Sequence, residues 1–207
     1  MAEHPVIPLF PLEVVVFPGQ ALSLRIFEER YKLMVAECRS VPSGEPLPFG
    51  ICLARENGIC RVGCAVVIHE ILREYPDGRL DLVAVGQRRY RIVETYEDRP
   101  YLSAAVEFFD DDQEAADPGL VRQVEERFLQ LLSLAGAGAE LPEAWSSFQL
   151  AHRAGMSLEQ CQRLLELQSE NQRLRLLAEY FDQMLPALER RRETQQRAQT
   201  NGRLKKS

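Results

Sequence analysis

The chain has 207 residues, of which 45% are hydrophobic, 27% charged and 8% aromatic. This balance is typical of a globular protein of one large or two small domains, and it excludes the disordered, collagen-like and disulfide-dense classes. No run approaches the roughly 18 apolar residues that span a bilayer, and residues 1–5 do not begin an export signal. We therefore expect a cytoplasmic protein without membrane contact.

The charges are divided unevenly along the chain. Lys and Arg number 25 against 31 Asp and Glu, a net charge of −6. Residues 189–207 hold seven basic and two acidic residues, which leaves 18 basic and 29 acidic residues in 1–188. We expect residues 189–207 to be disordered or a fraying helix end, used for solubility or for an anionic partner. The acidic body makes nucleic-acid binding unfavourable.

Lysine and cysteine usage excludes several chemistries. The only lysines are Lys32, Lys205 and Lys206, and none stands in a phosphate-loop motif or in a site that would activate an amine. Five cysteines, an odd number, indicate reduced thiols. On a strand Cys60 and Cys64 would lie about 13 Å apart, too far for a disulfide. A turn at Asn57–Gly58 would place Cys60 opposite Arg55 and direct Cys52 away from both. We expect buried, inert thiols and no metal.

The first half of the chain predicts β-structure. Residues 5–17 read as an edge strand, because three prolines cannot donate to a ladder, and the chain should turn at Pro18–Gly19. Phe27–Cys38 has helical apolar spacing, and the proline-rich residues 40–48 indicate a loop. Four further strands are predicted at 49–54, 60–75, 79–94 and 102–109. Their regular spacing favours a small closed or half-closed barrel, bent at Gly63 and Gly86.

The second half predicts helices after a boundary at residues 110–119. The acidic run Asp110–Asp112 reads as a solvated linker. Residues 120–134 carry an apolar stripe that ends at Gly136, and another helix should begin near Pro142. Ser157 and Ser169 each precede a Gln by three residues, the capping-box spacing that marks two further helix starts. Pro186 should kink or end the last helix.

No motif in the sequence predicts catalysis. His69-Glu70 begins a zinc motif, but Arg73 stands where the second ligand belongs, and a strand would hold these positions about 13 Å apart. Ser157 lacks the final glycine of a nucleophile elbow, and its capping role accounts for it. Residues 88–91 form a basic patch with one aromatic, a weak indication of nucleic-acid contact. We expect no catalytic residue, no metal and no cofactor.

Three segments of the first half occur in a characteristic order. They are Ile7–Leu12 leading to Val15–Gly19, Leu24–Tyr31, and Gly86–Ile92. Together they resemble the N-terminal substrate-binding domain of the Lon protease family in a stand-alone form. The resemblance spans about residues 5–188, is looser in the helical half, and does not extend to the ATPase and Ser-Lys peptidase modules of the full protease.

The resemblance implies an α+β fold, with an N-terminal PUA-like β pseudo-barrel and short helix followed by a C-terminal helical bundle. The corresponding ranges are 1–112 for the β domain, 113–188 for the bundle and 189–207 for the basic tail. Phe17, Pro18, Phe27 and Tyr31 match the family pattern. They are either core residues or substrate-binding residues, and we name them as the candidate site.

The implied function is a non-catalytic protein-interaction module for exposed hydrophobic segments of client proteins. Its partners would be unfolded or hydrophobic polypeptides, and a separate protease or chaperone is a further possible partner. We expect the apolar patch near the first strand and the 27–38 helix. The alternative is an RNA-contacting PUA-like domain, which would differ by a steep loss of affinity with salt.

Overall fold

The computed structural model describes residues 4–39, 46–136, 141 and 145–203, with side chains up to residue 194. These residues form an α+β structure of six strands and five helices, as the fold class predicts. The elements in chain order are β1 Val6–Leu12, β2 Ala21–Ile26, α1 Glu29–Arg39, β3 Phe49–Arg55, β4 Gly58–Glu74, β5 Leu80–Tyr96, β6 Ser103–Phe109, α2 Pro118–Ala135, α3 Ser147–Ala154, α4 Leu158–Glu166 and α5 Glu170–Arg203.

The chain divides into two compact units. The first comprises Met1–Asp110 together with Ser157–Glu166, and the second comprises Asp111–Met156 together with Leu167–Ser207. Helix α4 therefore belongs to the strand-containing unit. Two contacts fix it there: Arg89 Nη1 donates to Leu165 O at 3.0 Å, and Gln162 Nε2 donates to Val62 O at 3.1 Å. The domain ranges 1–112, 113–188 and 189–207 stay predictions.

The six strands of the first unit form one sheet whose ladders close on themselves. The strand order is β2-β5-β4-β3-β1-β6, and β5 also pairs with β6. The circuit β5-β4-β3-β1-β6 thus returns to β5, while β2 adds to β5 from outside it. β5 can pair with three neighbours because it has 17 residues, long enough for different halves to meet different strands.

The prediction that the first strand lies at an edge is wrong. β1 ends at Leu12 and pairs with both β3 and β6. Leu9 N donates to Leu102 O at 2.7 Å, so odd-numbered backbone groups face β6 and even-numbered ones face β3. Pro8 therefore faces β3 before that ladder begins at Leu9, and Pro11 faces β6 after that ladder has ended. Each proline lies where no ladder bond is required of it.

The hairpin between β3 and β4 differs by one position from the prediction. Arg55 pairs with Gly58, so the turn is Glu56–Asn57, and Cys60 is not opposite Arg55. The predicted pair Cys52 and Gly63 is confirmed. A register shift between Cys52 and Ala54 reconciles the two, because one residue of β3 but three of β4 lie between the flanking pairs, which displaces the ladder by two residues.

The predicted bend at Gly86 coincides with a close backbone approach. The β4–β5 ladder shifts register next to it, and a Cβ there would lie within 3.0 Å of Phe17 O. Gly86 also bonds the Pro18–Gly19 turn, because Gly19 N donates to Gly86 O at 2.8 Å and Gly86 N donates to Gln20 O at 2.9 Å. Only glycine can occupy this position without displacing that turn.

Helix α1 packs on one face of the sheet, and its stripe of buried side chains is shorter than predicted. Tyr31, Met34, Val35 and Cys38 are buried, as the spacing predicts. Phe27 is an exception, because the helix starts two residues later and the Phe27 side chain is 61% exposed. The hydrophobic cluster beneath α1 also contains Phe10, whose ring centroid lies 4.1 Å from that of Tyr31.

The second unit consists of helices with defined caps. Asp117 accepts from the first backbone N–H groups of α2, and Gly136 in the left-handed conformation ends that helix as predicted. α2 packs on α5 through Phe128 and Phe181, whose rings lie 6.0 Å apart. The predicted start near Pro142 falls on residues outside the described ranges, and α3 begins at Ser147.

Two predictions about the second half need correction. The acidic run is not merely a solvated linker: Asp110 accepts two hydrogen bonds from Arg88 in the first unit, and Asp111 pairs with Arg173 in the second. Of the two outcomes predicted for Pro186, a kink or an end, the end is wrong, because helix α5 continues to Arg203, and the kink stays a prediction. Pro186 is exposed, so water can hydrate the Asp182 carbonyl that loses its helical donor.

Candidate functional site

The four residues predicted as a binding site do not form one surface. Phe17 and Tyr31 are buried in the first unit, and Pro18 is half-buried in the turn that Gly86 holds. Burial raises the pKa of Tyr31 above its ordinary value, against a lowering by Arg30, whose guanidinium lies 4.6 Å from the ring. Phe27 alone of the four is exposed. Two of the four are therefore core residues.

The first unit contains an apolar cavity of about 530 Å³ that sequence reasoning did not identify residue by residue. It lies between the start of β1, the last turn of α1 and the segments around Leu47 and Tyr101. Its apolar lining includes Val6, Pro8, Leu47, Pro48 and Phe108. Val6 is 58% exposed and Leu47 51%, so two large apolar side chains face solvent at its mouth.

Three polar side chains form one wall of this cavity. Arg99 Nη1 lies 2.5 Å from Glu37 Oε2 and donates to the Tyr101 hydroxyl at 2.9 Å. The Tyr101 hydroxyl donates in turn to Glu37. Burial, and then the bond to Glu37, raise the pKa of Tyr101. Because these groups satisfy one another, they shape the wall without presenting an unpaired charge to an apolar ligand.

The position of Leu47 is fixed by the end of α1. Leu47 N donates to Cys38 O at 2.8 Å, which satisfies one of the carbonyls left free at the helix end. No local pattern in the sequence signals this contact, because Leu47 stands in a proline-rich stretch that reads only as loop. The sequence predicts that Val6 lies in a strand, but strand alternation alone does not show that the Val6 side chain stays exposed to solvent.

Three cysteine side chains of this unit, those of Cys38, Cys52 and Cys64, are buried in non-reactive surroundings. Burial raises the pKa of Cys38 to about 11 and that of Cys52 and Cys64 to about 12. A thiol with such a pKa is almost entirely protonated at neutral pH, and the thiolate is the nucleophilic form. Among the residues the structure describes, no group of three or more His, Cys, Asp or Glu side chains is close enough to hold a metal ion.

The predicted basic patch at 88–91 is not a continuous surface. Arg89 is buried and donates to Leu165 O, Tyr90 is buried with its hydroxyl donating to Ile51 O, and Arg88 pairs with Asp110. Among residues 88–91, Arg91 is the one exposed cation for which the described part of the chain shows no ion pair with a carboxylate. Within the described part of the chain, no helix is both long and apolar enough to cross a membrane.

These features define an α+β domain with an apolar cavity in its strand-containing unit. Residues 6–183 match the family model of the ATP-dependent protease La (LON) substrate-binding domain. The chain therefore belongs to the Lon substrate-binding domain family. This confirms the resemblance seen in the sequence.

Individual relatives agree with this family. The chain is 26% identical over 204 residues to a Lon protease of Dictyoglomus thermophilum and 25% identical over 227 residues to one of Cytophaga hutchinsonii, covering 89% and 95% of this chain. It spans about a quarter of the length of these relatives, 25% and 26%.

Solved structures show the same fold. A Lon N-terminal domain protein from Xanthomonas campestris superposes with a TM-score of 0.67 at 28% identity, covering 84% of this chain and 96% of that one. The N-terminal domain of a Mycobacterium avium complex Lon protease superposes with a TM-score of 0.64 at 18% identity, covering 86% and 98%.

Proposed function

We propose that this chain is a non-catalytic module that binds exposed hydrophobic segments of other polypeptides through the cavity bounded by Val6 and Leu47. The observation that carries the proposal is the pair of exposed apolar side chains at the mouth of an apolar cavity. An apolar surface of this kind lowers its free energy when a client side chain covers it. The family model, named for substrate binding, supports the same reading.

The size of the cavity suits a polypeptide segment. A volume of about 530 Å³ holds a few large side chains, and the cavity is open enough for the chain that carries them to enter and leave. The Glu37–Arg99–Tyr101 wall is internally paired, so it places no demand on the charge of the client. Recognition would then depend on apolarity rather than on a fixed sequence, which suits a binder of many unfolded chains.

Two finer features belong to this proposal. The closed circuit of five ladders with β2 added outside it supports a PUA-like pseudo-barrel, and the packing of α2 and α3 on α5 supports a small helical bundle. We also propose that the module acts on clients together with a separate protease or chaperone, in the cytoplasm. The basis is the family, since the two relatives described above are Lon proteases.

The alternative is contact with RNA through a PUA-like surface. The observation against it is that Arg89 and Arg88, the centre of the basic patch, are already bonded to protein acceptors. Phosphate binding would require unpaired cations in a row, which this patch does not supply.

Salt dependence separates the two functions. The full chain is titrated with a reduced and alkylated unfolded protein and with a single-stranded oligoribonucleotide, each at low and high salt. We expect the unfolded protein to bind with little loss of affinity at high salt, because apolar burial is not screened. Binding of RNA alone, lost at high salt, would overturn the proposal.

A further inference from the structure

β2 presents a regular, undefended edge along its whole length. β2 pairs only with β5, and its six residues pair without a register shift. It carries no proline and one charged side chain, Arg25. Sheet edges that must stay unpaired are usually interrupted by bulges, charges or proline. β2 has almost none of these protections.

Another free stretch of the same sheet is defended. Beyond Val66 the outer side of β4 has no ladder partner among the described strands. This stretch has two register shifts, one after Ile68 and one after Ile71, and it carries His69, Glu70, Arg73 and Glu74. Bulges and charges of this kind prevent another strand from adding. The contrast between two edges of one sheet indicates that the β2 edge is kept open.

Main-chain groups point outward along β2. Gly86 N donates to Gln20 O at 2.9 Å, so even-numbered residues face β5 and the odd-numbered Ala21, Ser23 and Arg25 present N–H and C=O away from it. In the ranges that the structure covers, no loop or turn backbone hydrogen bond reaches these three residues. The side chains of Ala21, Ser23 and Arg25 are exposed, and Phe27 continues the same exposed series.

We infer that an extended client segment adds to β2 as a further strand, with a large apolar residue beside Phe27 and an acidic residue beside Arg25. Cross-strand neighbours on one face lie two residues apart, so the client would carry these residues at positions i and i+2. This inference rests on the proposed function and adds a second contact surface and a sequence preference to it.

The charges around Arg25 favour an acidic residue. The Tyr75 ring has three guanidinium groups near it, those of Arg25, Arg73 and Arg79, at 4.6–5.7 Å from its centroid. Asp77 pairs with Arg79 and Asp81 pairs with Arg25, so these three guanidinium groups have two paired carboxylates and an excess of positive charge. An incoming carboxylate is attracted to this end of the edge, whereas a lysine is repelled.

A client segment fits this edge better than a second copy of the chain. Six residues span about 20 Å, and pairing two such edges falls well short of the roughly 1,200 Å² that a stable protein interface buries. A flexible segment does not need so large an area, since main-chain bonds supply affinity and alternate side chains supply specificity. Two chains held together by these edges would contradict this choice of partner.

The test uses labelled peptides of about twelve residues, long enough to cover the edge. One contains Leu-Thr-Glu-Thr-Leu in a serine and threonine background, so that it presents the Glu-Thr-Leu pattern to β2 in either strand direction, and the other contains Leu-Thr-Lys-Thr-Leu in place of it and is called Lys-Thr-Leu. Ser23→Pro removes an outward N–H but no bond to β5, so it blocks the edge, while Ser23→Ala keeps that N–H. By fluorescence anisotropy on the full chain, we expect Ser23→Pro to weaken Glu-Thr-Leu binding about tenfold or more and Ser23→Ala to leave it unchanged.

Two further measurements do not depend on that variant folding. Arg25→Glu should reverse the preference, with Lys-Thr-Leu binding more tightly than Glu-Thr-Leu. Hydrogen exchange on the unaltered protein should show slower exchange at the amides of Ala21, Ser23 and Arg25 when peptide is bound. Equal binding of both peptides by wild type and Arg25→Glu, with no protection at these amides, would overturn the inference.

The outcomes distinguish this inference from the proposed function. If a folded Ser23→Pro variant binds peptide as well as the wild type, while Val6→Asp abolishes capture of unfolded protein, the edge inference fails and the cavity remains the binding site. If the wild type binds neither peptide nor unfolded protein, both proposals fail. Peptide-dependent or spontaneous dimers that Ser23→Pro dissolves would assign the edge to a second copy and also overturn the inference.

Discussion

At the scale of single residues, the buried thiols determine how the first unit responds to alkali. The pKa of Cys38 is raised by burial to about 11, and that of Cys52 and Cys64 to about 12, against ordinary values near 9. The folded state thus holds these protons more tightly than the unfolded state. Their contribution to stability is complete below pH 9 and is lost as the pH rises from 9 to 12.

We therefore expect the denaturation midpoint to fall steadily above pH 9. Urea titrations at pH 7, 9 and 10.5 would measure it, in reducing buffer. Alkylation at pH 8 should modify Cys60, which is half-exposed, before these three buried cysteines. Rapid labelling of Cys52 or Cys64 in the folded protein would contradict this account.

Arg173 connects several parts of the second unit. Its side chain is 1% exposed and bonds Asp111, Glu170, the Ser147 hydroxyl at 2.8 Å and Leu167 O at 2.7 Å. Its guanidinium also lies 4.5 Å from the centre of the Phe148 ring. This one group joins the start of the unit to α3 and α5.

Replacing Arg173 by Met keeps an unbranched, flexible side chain but removes the guanidinium group and its charge. We expect a loss of about 3 kcal/mol in the free energy of unfolding, since acidic partners are left without their cation, although both are partly exposed. Arg173→Lys should recover only part of it, because ammonium lacks the planar fork. Denaturation by urea measures both, and a Met variant as stable as wild type would contradict the role.

At the scale of elements, the capping boxes were the most reliable local signals. Ser157 Oγ accepts from Gln160 N at 3.3 Å, and Gln160 Oε1 accepts from Ser157 N at 2.9 Å, as the spacing predicts. Ser169 Oγ likewise accepts from Gln172 N at 3.4 Å. A third box, Ser146 with Gln149, has the same spacing and caps α3, although we predict that helix start near Pro142.

Ser157→Ala should therefore destabilise α4 without altering the strands. We expect a loss of about 1 kcal/mol in unfolding free energy, and Ser157→Asp should retain most of the stability because its carboxylate can accept the same bond. Hydrogen exchange at the amides of α4 would show the change locally. Equal exchange in wild type and Ser157→Ala would show that the contacts of Arg89 and Gln162 hold α4 alone.

The elements that sequence reasoning misassigned share a cause. Alternation and proline placement describe one strand, but whether β1 is an edge depends on β3 and β6, which are far away in the sequence. The observed β3–β4 turn lies one residue before the predicted one. The register shift after Cys52 causes this difference, and composition does not reveal it. The pairing of Asp110 and Asp111 was missed for the same reason, since their partners, Arg88 and Arg173, are 22 and 62 residues away.

At the scale of the whole molecule, the family and the α+β class were predictable and the cavity that we propose as the binding surface was not. Motif order in the first half is local information, and it led to the Lon substrate-binding domain family that the comparison confirms. The cavity joins the start of β1, the end of α1 and the residues around Leu47 and Tyr101, which only the tertiary fold brings together. The family motif therefore identified buried Phe17 and Tyr31 rather than Val6 and Leu47.

The most direct test of the account compares two valines of similar exposure. Val6 lies at the mouth of the cavity and Val93 lies outside it, at 58% and 43% exposure, so each can be changed to Asp at small cost to folding. Binding of a reduced and alkylated unfolded protein is measured for both variants at high salt. We predict that Val6→Asp weakens binding about tenfold or more and that Val93→Asp binds like wild type. Equal binding by all three proteins would contradict the claim that this cavity captures hydrophobic segments.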